Sequence, residues 1–205
     1  MEHPTFDNID IENVMILDVE TTGLDSKKNK IIEIAALLYN VPNRCVLQSV
    51  STLIPVQENP VEHINGIKAA HSMLINDSIG VRHGVNTALR YMIFQSHAIV
   101  AHNADFDKGF LRDNPIDYEN EPMTINGLPW ICTYKHFEWP EVKGSKRLTN
   151  IAQELGIDTA GAHRALADCF LIAKCFDKIH NLPERLKAAY VKQNINRNKE
   201  AVVNE

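Results

Sequence analysis

Apolar residues fall in short runs along this chain, separated by turn residues. Val14 to Leu17 (VMIL) is the first; it ends in Asp18, with Glu20 two positions on and Thr21-Thr22-Gly23 behind it. A run of that length, bounded by turn residues, reads as a short buried strand. Ile31 to Tyr39 (IIEIAALLY) is nearly continuous in apolar residues, which suits a strand buried on both faces in mid-sheet. Cys45 to Ile54 (CVLQSVSTLI), rich in β-branched residues and closed by Pro55, is a third. Short connections between the three predict an antiparallel meander. Glu33 shares a face with Ile31 and Ala35 and reads as a paired structural carboxylate rather than a metal ligand.

Beyond the meander the period changes. Residues 56 to 82 are mixed, with a turn at Asn65-Gly66 and short helical pieces. Val85, Leu89, Met92 and Ile93 then recur at helical intervals over 85–96. Ala98 to Ala101 is a short strand that delivers a helix directly: Asn103 stands at its N-cap, and Phe106, Phe110 and Leu111 mark its apolar face. A polar loop fills 113–129, Trp130 to Thr133 re-enters the core, and Glu141 to Arg147 forms a flexible loop. Leu148, Ile151, Ala152 and Leu155 make a helix ended by Gly156, and a longer helix runs from about Arg164 to Ile179. Pro183 to Val191 gives one or two further amphipathic turns, and the last twelve residues (NINRNKEAVVNE) are polar enough to be disordered. The expected organisation is an N-terminal segment over 1–12, one domain over 13–182, and a short C-terminal helix with a disordered tail over 183–205.

Composition adds limits. With 205 residues, 44% hydrophobic and 23% charged, the chain suits one globular domain with a sizeable core. No apolar run approaches a membrane span, and the polar, acidic first 13 residues lack a secretory leader's hydrophobic run, so a cytoplasmic protein is expected. Cys45, Cys132, Cys169 and Cys175 show no C-x-x-C spacing and read as buried free thiols. A net charge of −5 argues against coating nucleic acid by bulk attraction. It leaves room for a nuclease, because two divalent ions held at an acidic site would offset most of it.

The chemistry begins at Asp18 and Glu20. Side chains two apart on a strand share a face, so these carboxylates project together and repel unless a cation lies between them. Such a pair is half of a magnesium site, with the two threonine hydroxyls and the unhindered backbone of Gly23 beside it. The same spacing at Asp10/Glu12 and Asp117/Glu119 follows no buried strand and reads as solvated pairs. Asp105 and Asp107 both fall in a first helical turn, where the dipole favours acids. Residues two apart on a helix diverge by about 200°, so only one of them can face a site. Two His-x4-Asp spacings occur, His102/Asp107 at a strand end and His163/Asp168 in a loop entering a helix. His63, His71 and His83 have no partner spacing and read as surface histidines. Lys143, Lys146 and Arg147 make either a solvated basic loop or a contact to a phosphate backbone.

Three motifs in order, DVETTGL at 18–24, AHNADFD at 101–107 and HRALAD at 163–168, resemble the DEDDh (DnaQ-like) exonuclease family, which includes the proofreading ε subunit of bacterial DNA polymerase III and RNase T. IIEIAAL and the helix ending at Gly156 also fit, so the likeness covers roughly residues 12 to 180. It implies an α/β, ribonuclease-H-like fold: a mixed central sheet, an antiparallel three-strand meander plus parallel strands, flanked by helices. It assigns Asp18, Glu20, Asp107 and Asp168 to two Mg2+ ions, with Mn2+ able to substitute, and His163 to a general base. In the second motif the family's acid directly follows Phe106, which selects Asp107 over Asp105. Thr21, Thr22, Gly23, Leu24, His102, Asn103 and Phe106 fall where the family meets the terminal nucleotide, with Leu24 as a wedge. Asn65-Gly66-Ile67 departs from the family's His-Gly-Ile element, in a region whose loops border the substrate groove in relatives.

The chemistry fits those residues. Two divalent ions can activate a water and hold a departing 3'-oxygen, and an imidazole with an ordinary pKa of about 6.5 can take the water's proton. The resemblance implies 3'-to-5' hydrolysis of single-stranded ends, DNA first and RNA second, releasing nucleoside 5'-monophosphates. With about 25 residues beyond the core, a stand-alone enzyme is expected. The other readings are a non-catalytic module that binds 3' ends or a polymerase, and a proofreading subunit active only in a polymerase complex.

Overall fold

The computed structural model describes residues 10–75, 79–114 and 128–203, and the side chains of these except 79–83 and 194–203. Its strands are β1 (Asn13–Thr21), β2 (Ile31–Asn40), β3 (Cys45–Leu53), β4 (Ala98–Ala101) and β5 (Trp130–Cys132). They form one sheet in the order β3-β2-β1-β4-β5. β1 and β2 pair antiparallel with Asp18 opposite Ala35 and Glu20 opposite Glu33, and β3 continues the meander. β4 runs parallel to β1, and β5 parallel to β4. This is the mixed sheet expected of the ribonuclease-H-like arrangement.

Among the described residues the helices are α1 (Glu62–Asn65), α2 (Ala69–Ser72), α3 (Ile79–Gln95), α4 (Ala104–Asp113), α5 (Leu148–Glu154), α6 (Ala165–Lys178) and α7 (Leu182–Val203). Strand alternation sorts β1 onto two cores. Val14 and Ile16 pack with Ile151 of α5, Cys169, Ile172 and Phe176 of α6, and Leu182 and Leu186 of α7. Met15, Leu17 and Val19 pack with Leu89 and Met92 of α3 and Phe110 and Leu111 of α4. β1 and β2 lie between these layers, which is why β2 is buried along nearly its whole length.

Several expectations change. A bulge opposite Glu20/Thr21 skips Ile32, so Ile31 joins the core of Ile34 and Ala36 while Glu33 stays on Ala35's face. Helix α3 starts at Ile79, ahead of the expected Val85, because Gly80 and Gly84 weaken the apolar period there. α7 continues to Val203 through residues whose composition pointed to disorder; that stretch lacks Gly and Pro, so nothing in it breaks the helix that starts at Leu182. Ile11 is buried and the Glu12 carbonyl accepts the Val41 amide at 2.7 Å, so the packed chain begins before Asn13. The Asp117/Glu119 pair and most of the 113–129 loop lie outside the described residues. Cys132, Cys169 and Cys175 are buried and Cys45 is exposed, all as free thiols. Among the described residues, no helix is long and apolar enough to cross a membrane.

Candidate active site

β4 is shorter than its neighbour. Its pairing with β1 ends at Ile16/Val100, so the Val19 amide on that edge has no strand partner. α4, which leaves the end of β4, fills the gap: Asp107 Oδ1 accepts the Val19 N–H at 3.2 Å. Asp107 is 2% exposed, and its Oδ2 is buried with no hydrogen-bond partner. On β1, Asp18 and Glu20 continue the row of Val14 and Ile16, which faces α6. The first turn of α6 brings Asp168. One oxygen each from Asp18, Glu20 and Asp168 lies within 4.8 Å of the other two. Asp107 stands outside that three-way set but beside Asp18, where its charge acts more strongly than that of any other acid.

Electrostatics follow from the crowding. Burial first, then Asp107, Asp168, Glu20 and Glu33, raise the Asp18 carboxyl well above the usual range. Burial, Asp168 and Glu33 push Glu20 up to about 7, against a smaller opposing pull from Arg164. Asp107 is raised by burial despite amide hydrogen bonds that pull it down, and Asp168 is raised by burial despite the His163 amide. A cation placed among these four carboxyls would offset both the burial and the mutual repulsion that raise them. Oxygen donors at this spacing, with one buried oxygen unpartnered, fit a hard divalent ion such as Mg2+ or Mn2+.

His163 occupies the turn into α6, exposed and in the left-handed region at φ 68°. Its amide donates to Asp168 Oδ1 at 3.3 Å, and the charge of its ring lowers the Asp168 carboxyl. Glu33 is no part of the acidic set. Both its oxygens face Arg164, at 2.9 and 2.8 Å, so it is the paired structural carboxylate expected from sequence.

The exonuclease family model RNase_T matches residues 15–176. The chain belongs to this exonuclease family. It is 28% identical over 158 residues to a PolC-type DNA polymerase III of Clostridium perfringens, covering 77% of this chain and 10% of that one. It is 26% identical over 175 residues to the DNA polymerase III epsilon subunit of Aquifex aeolicus, covering 84% of this chain and 83% of the relative. Thus the chain spans about a tenth of the PolC-type relatives and most of the epsilon subunit. In fold it is similar to the nuclease domain of 3'hExo, a DEDDh family member bound to rAMP, with TM-score 0.59, 15% identity, and coverage of 80% of this chain and 90% of that one.

In this chain the turn after Glu20 is built differently from the expectation. Thr21 Oγ1 donates to the Gly23 carbonyl at 2.6 Å and Thr22 Oγ1 accepts the Lys30 amide at 3.0 Å, so both hydroxyls hold the turn. Gly23 is covered rather than unhindered: a Cβ there would stand 2.5 Å from Asn29 Oδ1. Leu24 is 87% exposed at the turn's tip. Asn103 occupies the cap position of α4 at φ 71° but makes no side-chain cap bond. Phe106 packs on Phe110, with ring centroids 4.7 Å apart. His102 is held between Thr133 Oγ1, at 3.0 Å, and the Tyr134 ring; burial lowers its pKa to about 4, against a backbone hydrogen bond at Lys146. It therefore ties the end of β4 to the basic loop. That loop is fixed too, since the amides of Lys143 and Gly144 donate to the Glu154 carboxylate at 2.7 and 3.0 Å.

Sequence reasoning missed two ties. Asn65 is buried and donates from Nδ2 to the Thr21 carbonyl at 3.2 Å, anchoring the segment after β3 to the turn. The Glu33–Arg164 pair was half visible: the acid was expected to have a partner, and Arg164 stands in the third motif, but nothing in their spacing of 131 residues connects them.

Proposed function

We propose that this exonuclease removes nucleotides from the 3' end of single-stranded nucleic acid, DNA in preference to RNA, as nucleoside 5'-monophosphates. The observation that carries this reading is the convergence of Asp18, Glu20 and Asp168 beside the unpartnered buried oxygen of Asp107. These four would hold two Mg2+ ions, which when bound supply the positive charge that polarises the scissile phosphate and water and stabilises the leaving oxygen. Among the chain's own groups, a neutral imidazole nitrogen of His163 takes the proton from the attacking water. The water oxygen bonds to phosphorus, the bond from phosphorus to the penultimate 3'-oxygen breaks, and that oxygen gains its proton from solvent. Leu24, projecting from a turn that Thr21, Thr22 and Asn65 stiffen, wedges against the terminal base.

The epsilon and PolC-type relatives support DNA as substrate and a polymerase as partner. A second reading therefore stands beside the first: the chain works as a proofreading subunit in a polymerase complex, for which the 83% coverage of the Aquifex epsilon subunit speaks. The test is incubation of 5'-end-labelled single-stranded DNA and RNA with Mg2+, with and without EDTA, beside an Asp18→Ala control. A ladder shortening from the 3' end, absent with EDTA and in the control, is expected. Intact label under every condition, or equal digestion by Asp18→Ala, overturns the first reading. Co-purification with a polymerase and activity only in that complex would establish the second.

A further inference from the structure

The N-terminus of α6 has no cap of its own. Arg164 is extended at the N-cap position and its side chain makes no cap hydrogen bond. The first amide, Ala165 N–H, is buried and donates instead to Glu33 Oε2 at 3.1 Å, across to β2. The same carboxylate takes the Arg164 fork, Nε to Oε2 at 2.9 Å and Nη2 to Oε1 at 2.8 Å. A fork onto both oxygens is directional as well as strong. Glu33 is 2% exposed and stands opposite Glu20 in the sheet. The helix is thus pinned to the rung that carries one of the site's acids.

On the other side of His163 the chain is loosely held. Gly161 is exposed at φ 86° with nothing within 4 Å of a Cβ position, and the described backbone bonds of 159–162 are local, such as Ala162 N–H to the Thr159 carbonyl at 3.1 Å. His163 is therefore hinged upstream and fixed downstream. We propose that Glu33 and Arg164 are positioning residues whose three hydrogen bonds set the pivot about which His163 reaches the reacting water. This rests on His163 acting as the base, and it gives a role to two residues outside the Asp18, Glu20 and Asp168 cluster.

A double-mutant cycle tests it. Arg164→Ala should lower kcat by about 10- to 100-fold, as a misplaced group does, with KM changed less than about twofold. Placed in a His163→Ala background, the same substitution should change the residual rate less than about twofold. Arg164→Lys, which keeps the charge and loses the fork, should fall between wild type and Arg164→Ala. Equal losses in both backgrounds would mean a generally structural role and would overturn the proposal. Amide exchange gives a readout independent of catalysis: Arg164→Ala should speed exchange across 163–168 while β1 and β2 stay protected. Unchanged protection there overturns the clamp even if wild type digests nothing, and wild-type inactivity alone sinks only the nuclease reading.

Discussion

Asp105 and Asp107 sit two residues apart in one helical turn and meet opposite surroundings. Asp105 is exposed and pairs with Lys135 at 2.6 Å, while Asp107 lies buried against β1. Asp105→Ala should therefore alter stability by no more than about 0.5 kcal/mol and leave nucleotide release intact. Asp107→Asn keeps an acceptor for the Val19 amide and removes a carboxylate that burial disfavours. In EDTA at pH 8 its melting temperature should rise, while Mg2+-dependent activity is lost; a lower melting temperature would show that Oδ1 holds more than it disturbs. His163→Ala should reduce turnover by about 10²- to 10⁴-fold, the usual worth of a general base, with Mn2+ affinity retained in a titration. Divergence around a helix already showed that one acid of the Asp105/Asp107 pair faces away. Only the likeness to relatives picked Asp107, because the choice depends on where β4 stops pairing with β1, a length no motif records.

Elements explain what the motifs do not. The turn from Thr21 to Leu24 keeps its shape through Asn65, which also accepts the Ile67 amide at 3.1 Å and an Asn59 amide hydrogen at 2.9 Å. Asn65→Ala strands these buried partners and should destabilise the protein by about 1–3 kcal/mol, read from the urea midpoint. If the turn carries substrate contacts, the same variant should raise KM more than it lowers kcat. An unchanged KM on a single-stranded oligonucleotide would separate the turn from binding. The meander, the β4–α4 passage and the α5–Gly156 stop were all legible, since each is written in local apolar period and turn residues. The bulge beside Glu33 was not. It arises from pairing between strands, and it decides that Ile31 and Glu33 leave opposite faces.

At the scale of the molecule, acids drawn from β1, α4 and α6 are crowded at the end of the sheet's central strand in a protein that already carries a net charge of −5. Because Asp18, Glu20, Asp107 and Asp168 are raised, the folded state binds protons that the unfolded state has released. Stability without metal should therefore fall as pH rises from the ordinary carboxylate range through about 7, the value for Glu20. Divalent ions bind the deprotonated set, so their affinity should climb over that same interval. At a hundredfold excess over Kd, binding adds about 2.7 kcal/mol. For a chain of 205 residues that is about 5–10 °C in Tm. Melting curves with Mg2+ and with EDTA should therefore diverge at pH 8 and converge near pH 5. Asp18→Ala should erase most of the difference. A metal-induced shift that is equal at both pH values, or that survives Asp18→Ala, would mean that the ion binds somewhere other than between these three elements.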